Sequence, residues 1–170
     1  MPDTFIKIAS VTVGSGGASS IDFTSIPSTY TDLCLKVSAR SNKSGAGADW
    51  AKIAFNGVAT NQTLRALYGS GSTAGSYTDT AIYASTNSNS QTISTFGNTE
   101  FYISNYAGSA NKSVSGDGTS ETNASTNNDL ILIAGLWSST AAINQIGLTP
   151  FTGTAWLQYT TATLYGISKS

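Results

Sequence analysis

The sequence contains no histidine, and this absence excludes several kinds of catalytic and metal chemistry. Without an imidazole, the chain cannot form a Ser-His-Asp triad, a Cys-His dyad or a His-ligated zinc or iron site. Its acidic residues are scattered along the chain, whereas a glycosidase needs two carboxyl groups held at a fixed separation in a cleft. We therefore expect no enzyme activity and no cofactor. Glu100 and Asp117 are the acids to change in a test for glycosidase activity.

The single cysteine, Cys34, excludes an internal disulfide, so stability has to come from packing and from partner subunits. No histidine is present to activate its thiol, and the residue lies in an alternating apolar segment, so we predict a buried, inert side chain. The segment 116–123 offers oxygen ligands but lacks the alternating acidic spacing of an EF-hand loop. It predicts a turn and no metal site.

Charged residues are also scarce, at 10% of the chain, and the net charge is only -1. A charge this small does not attract a polyanion, so a nucleic-acid partner is not expected. The amino-terminal residues lack a basic segment followed by a long apolar one, and no apolar run approaches the length that crosses a bilayer. We expect neither export by a signal peptide nor a membrane partner.

What the chain does contain is typical of β-structure: 8 Tyr, 6 Phe, 3 Trp and 17 Gly, with only 3 Pro. Short alternating segments are separated by turn signals at intervals of about 8 to 12 residues. The sequence therefore predicts an all-β fold, an antiparallel, jelly-roll-like β-sandwich of about ten strands with no major helix. It predicts one domain, residues 1–170.

The segment 129–137 is the stretch around which this fold is predicted to form. It is apolar at consecutive positions, so an extended conformation would need cover on both faces, as in a central strand. Periodicity alone also allows a helix, but the short run between polar segments favours a strand. Elsewhere alternation places Leu33, Leu35, Val37 and Ala39 on one face. Phe101 is likewise predicted to point inward with Ile103, in a strand over residues 99–106.

Turn residues divide the rest of the chain. Asn56-Gly57 predicts a type I′ hairpin with a return strand over about residues 62–68, because both residues tolerate positive φ. Residues 69–75 and 85–95 are rich in small polar side chains and are predicted to be exposed loops that flank a weak strand near residues 77–84. The remaining predicted strands cover residues 5–13, 19–23, 30–40, 50–56, 142–149 and 155–167, with a turn at 150–153.

The aromatic residues have two interpretations, core or subunit interface on one hand and a sugar-stacking surface on the other. Trp137 ends the central segment and Phe101 lies on an alternating face, so both are predicted to be core. Trp50, Tyr77 and Tyr83 adjoin glycine- and serine-rich loops and are the candidates for exposed contact residues.

Several segments, taken together, resemble one family: residues 8–13, 21–33, 95–108, 134–138 and 164–167. They are similar to structural proteins of tailed bacteriophages, and the resemblance spans nearly the whole chain. It implies a β-sandwich module of the virion, either a capsid decoration (cement) protein or a part of a tail fibre. It implies no catalytic residues.

Length decides between the two roles at this stage. The first strand begins almost at once and the chain leaves no room for a shaft, which favours a decoration protein on the outer surface of the capsid. Such a protein would bind the major capsid protein and is expected to form a homotrimer. The alternative is a tail fibre or receptor-binding component, whose loops 69–75 and 85–95 would contact a host-surface glycan.

Overall fold

The structure is a computed structural model that describes residues 4–123 and 129–168. Within these ranges the chain forms twelve β-strands and no helix, which confirms the predicted all-β fold. The strands are β1 (Phe5–Thr12), β2 (Ile21–Phe23), β3 (Asp32–Ala39), β4 (Asp49–Phe55), β5 (Gln62–Gly69), β6 (Ala74–Asp79), β7 (Tyr83–Thr86), β8 (Gly97–Ile103), β9 (Lys112–Ser120), β10 (Asp129–Trp137), β11 (Ile146–Pro150) and β12 (Thr161–Ile167).

Two antiparallel sheets of unequal size face each other. The large sheet has eight strands in the order β1-β12-β3-β8-β9-β10-β5-β6, and the small sheet has four in the order β2-β11-β4-β7. Strand β7, at one edge of the small sheet, packs over β8, β9 and β10. Tyr83 of β7 also contacts β6, since its ring stacks on Tyr77 and its hydroxyl donates to Asp79.

The core lies between the sheets and follows the period-2 pattern of the sequence. Leu33, Leu35, Val37 and Ala39 of β3 are buried on the inner face, as predicted, and so are Phe101 and Ile103 of β8. The small sheet contributes inward side chains from β4 that are completely buried. Full burial of a leucine, isoleucine or phenylalanine contributes about 1.5–3 kcal/mol, so these alternating rows supply much of the driving force. The β4 residues concerned are Ala51, Ile53 and Phe55.

Two glycines allow β7 to lie directly on the large sheet. A Cβ on Gly118 would come within 2.4 Å of the Ser85 nitrogen, and one on Gly97 within 2.5 Å of the Thr86 Cα. The prediction of a turn over residues 116–123 is therefore wrong for residues 116–120, because these lie inside the continuous strand β9. Gly118 serves close approach between layers rather than chain reversal.

The Asn56-Gly57 turn forms, but the hairpin predicted around it does not. Both residues have positive φ, 52° and 78°, and Phe55 and Val58 exchange two backbone hydrogen bonds of 3.0 Å. Strand β4 then pairs only within the small sheet, whereas β5 pairs with β10 and β6 in the large sheet. The turn therefore starts a crossover between sheets.

Strand β10 forms as predicted, but only one of its two faces is covered. It lies inside the large sheet between β9 and β5, and its side chains alternate. Ile131, Ile133 and Trp137 are buried against the small sheet, while Leu130 and Leu132 point outward and are 52% and 55% exposed. The expectation that both faces are covered is wrong, since none of the described residues forms a layer over the outer face.

The segment between residues 77 and 95 also differs from the prediction. The weak strand at 77–84 is two strands, β6 in the large sheet and β7 in the small one. Residues 85–88 were expected in an exposed loop but are fully buried, because β7 and its continuation are covered by β8 and β9. The exposed loop is confined to residues 89–95. Towards the carboxyl end the regular strands are shorter than predicted, and Pro150 ends β11.

Candidate functional site

The loops expected to make contacts gather at one end of the sandwich. The strand registers place Gly69 beside Leu130, and Ala39 beside Gly97, so the β5–β6 and β7–β8 loops leave the large sheet at the same end. The β3–β4 connection, residues 40–48, joins them there, although the sequence did not mark it as a contact loop. This end therefore carries three adjacent loops from distant parts of the chain.

A cavity of about 440 Å³ lies at this end, lined by residues of the β3–β4 and β5–β6 loops and of both sheets. Tyr68 and Tyr77 extend into it from β5 and β6, and Trp50 and Tyr83 line it from β4 and β7. All three predicted contact residues, Trp50, Tyr77 and Tyr83, thus come together in one place. We call this cavity the aromatic pocket; Lys43, Ala46, Gly47, Ala48, Ser70 and Asp129 complete its lining.

The rings of the aromatic pocket form a continuous array. Tyr77 and Tyr83 stack with their planes 21° apart and their centroids 6.3 Å apart, and Tyr68 and Trp50 extend the row at 5.9 and 6.0 Å. Trp50 and Tyr77 are half-buried, but Tyr83 is only 6% exposed. The expectation of an exposed Tyr83 is therefore wrong: its ring supports the wall, because Phe151 packs on it at 4.6 Å.

A hydrogen bond holds Tyr83, the tyrosine that supports the wall of the aromatic pocket, in place. The Tyr83 hydroxyl donates to Asp79 Oδ2 over 2.7 Å. Burial raises the pKa of Tyr83 above its ordinary value, and the bond to Asp79 raises it further. Burial likewise raises the pKa of Tyr77. Both phenols therefore stay protonated at neutral pH and keep their capacity to donate hydrogen bonds.

Lys43 closes the pocket on the side of the β3–β4 loop. Its ammonium lies 5.4 Å from the centroid of the Trp50 ring, a cation–π arrangement. It also donates to the carbonyl oxygens of Ala48 at 2.5 Å and Ala46 at 3.3 Å. These bonds anchor the loop over Trp50 and place a positive charge at the rim.

Asp129 supplies a negative charge to the same pocket. Its Oδ2 accepts a hydrogen bond of 2.7 Å from the Ser85 hydroxyl, which orients the carboxylate. Lys43, Tyr68 and Asp129 are far apart in the chain and were not among the predicted contact residues. For Tyr68 a signal existed, since it ends the predicted return strand next to the loop 69–75. Gly75 makes room for its ring, because a Cβ there would lie 2.8 Å from Tyr68 Cε1.

A second surface lies on the outer face of the large sheet. Leu67 is 62% exposed and stands directly opposite Leu132, while Leu130 occupies the next outward position on β10. We call these three residues the leucine patch. Asp117 flanks it on β9, opposite Leu132, and Arg65 lies next to Leu67 in the outward row of β5. The cavity along this face measures about 680 Å³.

The two acids proposed for a glycosidase test are neighbours on the sheet. Glu100 of β8 stands opposite Asp117 of β9, and Lys36 of β3 makes an ion pair with Glu100. They occupy the outer face of the large sheet, where the Lys36 and Glu100 side chains are 53% and 36% exposed. Among the described residues no group of three or more possible acidic, cysteine or histidine ligands could hold a metal ion.

Cys34 is on the same outer face and is 1% exposed, as predicted. Tyr102 and Tyr165 of the adjacent strands stand opposite it on either side. Burial, together with the nearby charge of Glu100, raises the pKa of the Cys34 thiol to about 11. A thiol that stays protonated at neutral pH is a poor nucleophile.

In the described part of the chain, no helix is long and apolar enough to span a membrane.

The comparisons with known proteins give no relative: no family model, no curated protein and no solved structure matches the chain. The fold and the two surfaces therefore define the protein only as an antiparallel β-sandwich. One sheet presents leucines to solvent, and an aromatic pocket lies at the end of the sandwich that carries the β3–β4 and β5–β6 loops.

Proposed function

We propose that this protein is a bacteriophage virion structural protein, a capsid decoration (cement) protein that binds the outer surface of the capsid shell. The observation that carries the proposal is the leucine patch. Residues 129–137 have the composition of a strand covered on both faces, yet the outer face of β10 is open. A second molecule would supply the missing cover, and the resemblance to phage virion proteins indicates which one.

The energetics favour attachment in several copies. Each leucine of the patch has about half of its side chain in water, so completing its burial contributes about 1 kcal/mol. Three such residues supply roughly 3 kcal/mol, which is less than the loss of freedom on association. A homotrimer would engage three patches at once and gain avidity without any new contact. We therefore propose that the protein binds the major capsid protein as a trimer.

The proposal can be tested with capsid shells that lack the protein, prepared from the phage that encodes it. Purified wild-type protein should bind the shells, and the double variant Leu67→Ser, Leu132→Ser should bind at least 30-fold more weakly, since about 2 kcal/mol per copy is lost. Val58→Ser is the matched control, because Val58 is 47% exposed in the β4–β5 turn, which belongs to neither surface. Equal binding by the double variant and the control would refute the proposed surface.

The second candidate is a tail fibre or receptor-binding component of the phage tail. The observation that favours it is the gathering of three loops at one end, with Ile93 85% exposed in one of them. In this role, replacement of residues 89–95 by a glycine-serine linker should slow adsorption to host cells. Labelled antibody would place the chain on the tail. Normal adsorption with the replaced loop would count against it.

A further inference from the structure

We propose that the aromatic pocket binds a pyranose sugar ring. The inference is independent of where the chain sits on a particle, because Tyr68 and Asp129 of the pocket and the leucine patch lie on opposite faces of the large sheet. It assigns a ligand class to residues that no role in shell attachment explains.

The aromatic rings of the pocket provide an apolar binding surface. Trp50, Tyr68 and Tyr77 are half-buried, so each presents part of its ring to the cavity while the rest is held by the fold. An aromatic ring offers an apolar face with electron density that attracts the polarised C–H groups of a sugar. Tyr83 contacts the rings of Trp50 and Tyr77, Phe151 contacts that of Trp50, and Tyr77 contacts Tyr68, so the surface is preformed.

Two side chains of opposite charge line the pocket. The pocket carries an acceptor, the Asp129 carboxylate, and a donor, the Lys43 ammonium. A simple anion or cation would satisfy one and be repelled by the other, whereas a sugar hydroxyl both donates and accepts. Charge-assisted hydrogen bonds of this kind are about twice as strong as neutral ones. The pair therefore disfavours simple ions and suits a sugar, whose hydroxyl groups can donate to Asp129 and accept from Lys43.

A quaternary ammonium group is the main competing ligand for such a pocket. Aromatic pockets with a carboxylate do bind such cations. Here the Lys43 ammonium already lies over the Trp50 ring, at 5.4 Å from its centroid. A second cation would be repelled by the first. The volume of about 440 Å³ lies toward the lower end of the range for small-molecule sites, which suits one or two sugar rings.

Tryptophan fluorescence provides the test. Trp137 and Trp156 are 3% and 0% exposed, so among the tryptophans Trp50 alone is accessible to a ligand. The purified protein is titrated with D-glucose, D-galactose, D-mannose and N-acetyl-D-glucosamine, and separately with choline. We expect at least one sugar to shift the Trp50 emission with a Kd of about 1 mM or tighter, and choline to give no shift.

Variants tie the signal to the pocket. Asp129→Asn keeps the side-chain shape but removes the charge, and Tyr68→Ala removes one wall; each should weaken sugar binding at least tenfold. Tyr159→Ala is the control, since Tyr159 is 66% exposed and does not line this pocket. If Tyr68→Ala fails to fold, Gly75→Ala displaces the same ring and replaces it in the series.

Three results would overturn the inference: no emission shift with any of the four sugars, binding of choline in preference to them, or undiminished sugar binding by Asp129→Asn. None of these would affect binding of the protein to capsid shells. Conversely, shell binding that fails while sugar binding persists would refute the decoration role and leave the pocket assignment intact.

Discussion

Arg40 is a buried positive charge that holds the loop between β7 and β8. Its side chain reaches the loop from the end of β3, and the residue is only 5% exposed. Because the guanidinium has donors in a fixed fork, one side chain can hold both halves of the loop. Nη1 donates to the carbonyl oxygens of Thr92 at 2.7 Å and Thr95 at 3.0 Å, and Nη2 to those of Gln91 at 2.9 Å and Asn89 at 3.3 Å.

The cost of removing Arg40 can be worked out from these contacts. A hydrogen bond from a charged donor contributes about 1.5–3 kcal/mol, so four would sum to roughly 6 kcal/mol or more. Two effects reduce this sum: deleting the guanidinium removes the cost of burying it, and carbonyl groups of an exposed loop can bond to water instead. We expect Arg40→Ala to lower the free energy of unfolding by about 3 kcal/mol, a fall in Tm of about 6–12 °C.

Thermal and urea unfolding followed by circular dichroism measure this change, and hydrogen exchange with mass spectrometry locates it. Arg40→Lys keeps the charge but not the fork, so it should recover less than half of the loss. Amide protection should fall mainly in residues 88–96. A change within about 0.5 kcal/mol for Arg40→Ala, or protection lost evenly over both sheets, would refute the reasoning.

Three further predictions concern stability. Cys34 has a folded pKa of about 11 against an ordinary value of 9.0, so its contribution to the free energy of unfolding is complete below pH 9 and is lost as the pH rises through 11. Cys34→Ala should therefore flatten the alkaline limb of a pH–stability curve. An unchanged limb would contradict this expectation. Asp49→Ala should cost about 3 kcal/mol in urea unfolding, because the fully buried carboxylate accepts hydrogen bonds from the Ser41 hydroxyl, from the Trp50 nitrogen at the start of β4 and from the Thr152 and Gly153 nitrogens after β11. Gly118→Ala should cost about 2–3 kcal/mol by forcing β7 away from β9, and a Tm equal to that of the wild type would show that the layers are not in contact there.

The alternating segments could be predicted because their information is local. Leu33, Leu35, Phe101 and Ile103 each follow a period of two, and a slip of one residue would expose the whole row. The strand type and inward face follow directly. The partner of each strand does not, as the Asn56-Gly57 turn shows: its φ angles are determined by its own two residues, but the sheet that receives β5 depends on distant strands.

The wrong predictions for Gly118 and for the exposed leucines of β10 have the same physical cause. Gly118 looks like a turn residue in isolation, and only the approach of β7 reveals that it makes room for another layer. Leu130 and Leu132 look like core residues, and only the sheet order reveals that their face is open. In both cases the deciding neighbour is remote in sequence.

The candidate site could be predicted only in part, because some of its residues are brought together by contacts between distant segments. Trp50, Tyr77 and Tyr83 were found because each adjoins a loop rich in small residues. The charges that define the chemistry, Lys43 and Asp129, come from opposite parts of the chain, and only the closeness of the β3–β4 loop to the start of β10 brings them into one pocket. No local pattern encodes that proximity.

We propose that the protein attaches to a capsid through the open outer face of β10 and β5. A cryo-electron microscopy reconstruction of the intact virion tests it most directly. We predict density for this sandwich on the outside of the shell, repeated around capsomers, with Leu67, Leu130 and Leu132 against the major capsid protein. Density confined to the tail, or a sandwich on the shell with these leucines facing solvent, would contradict the account.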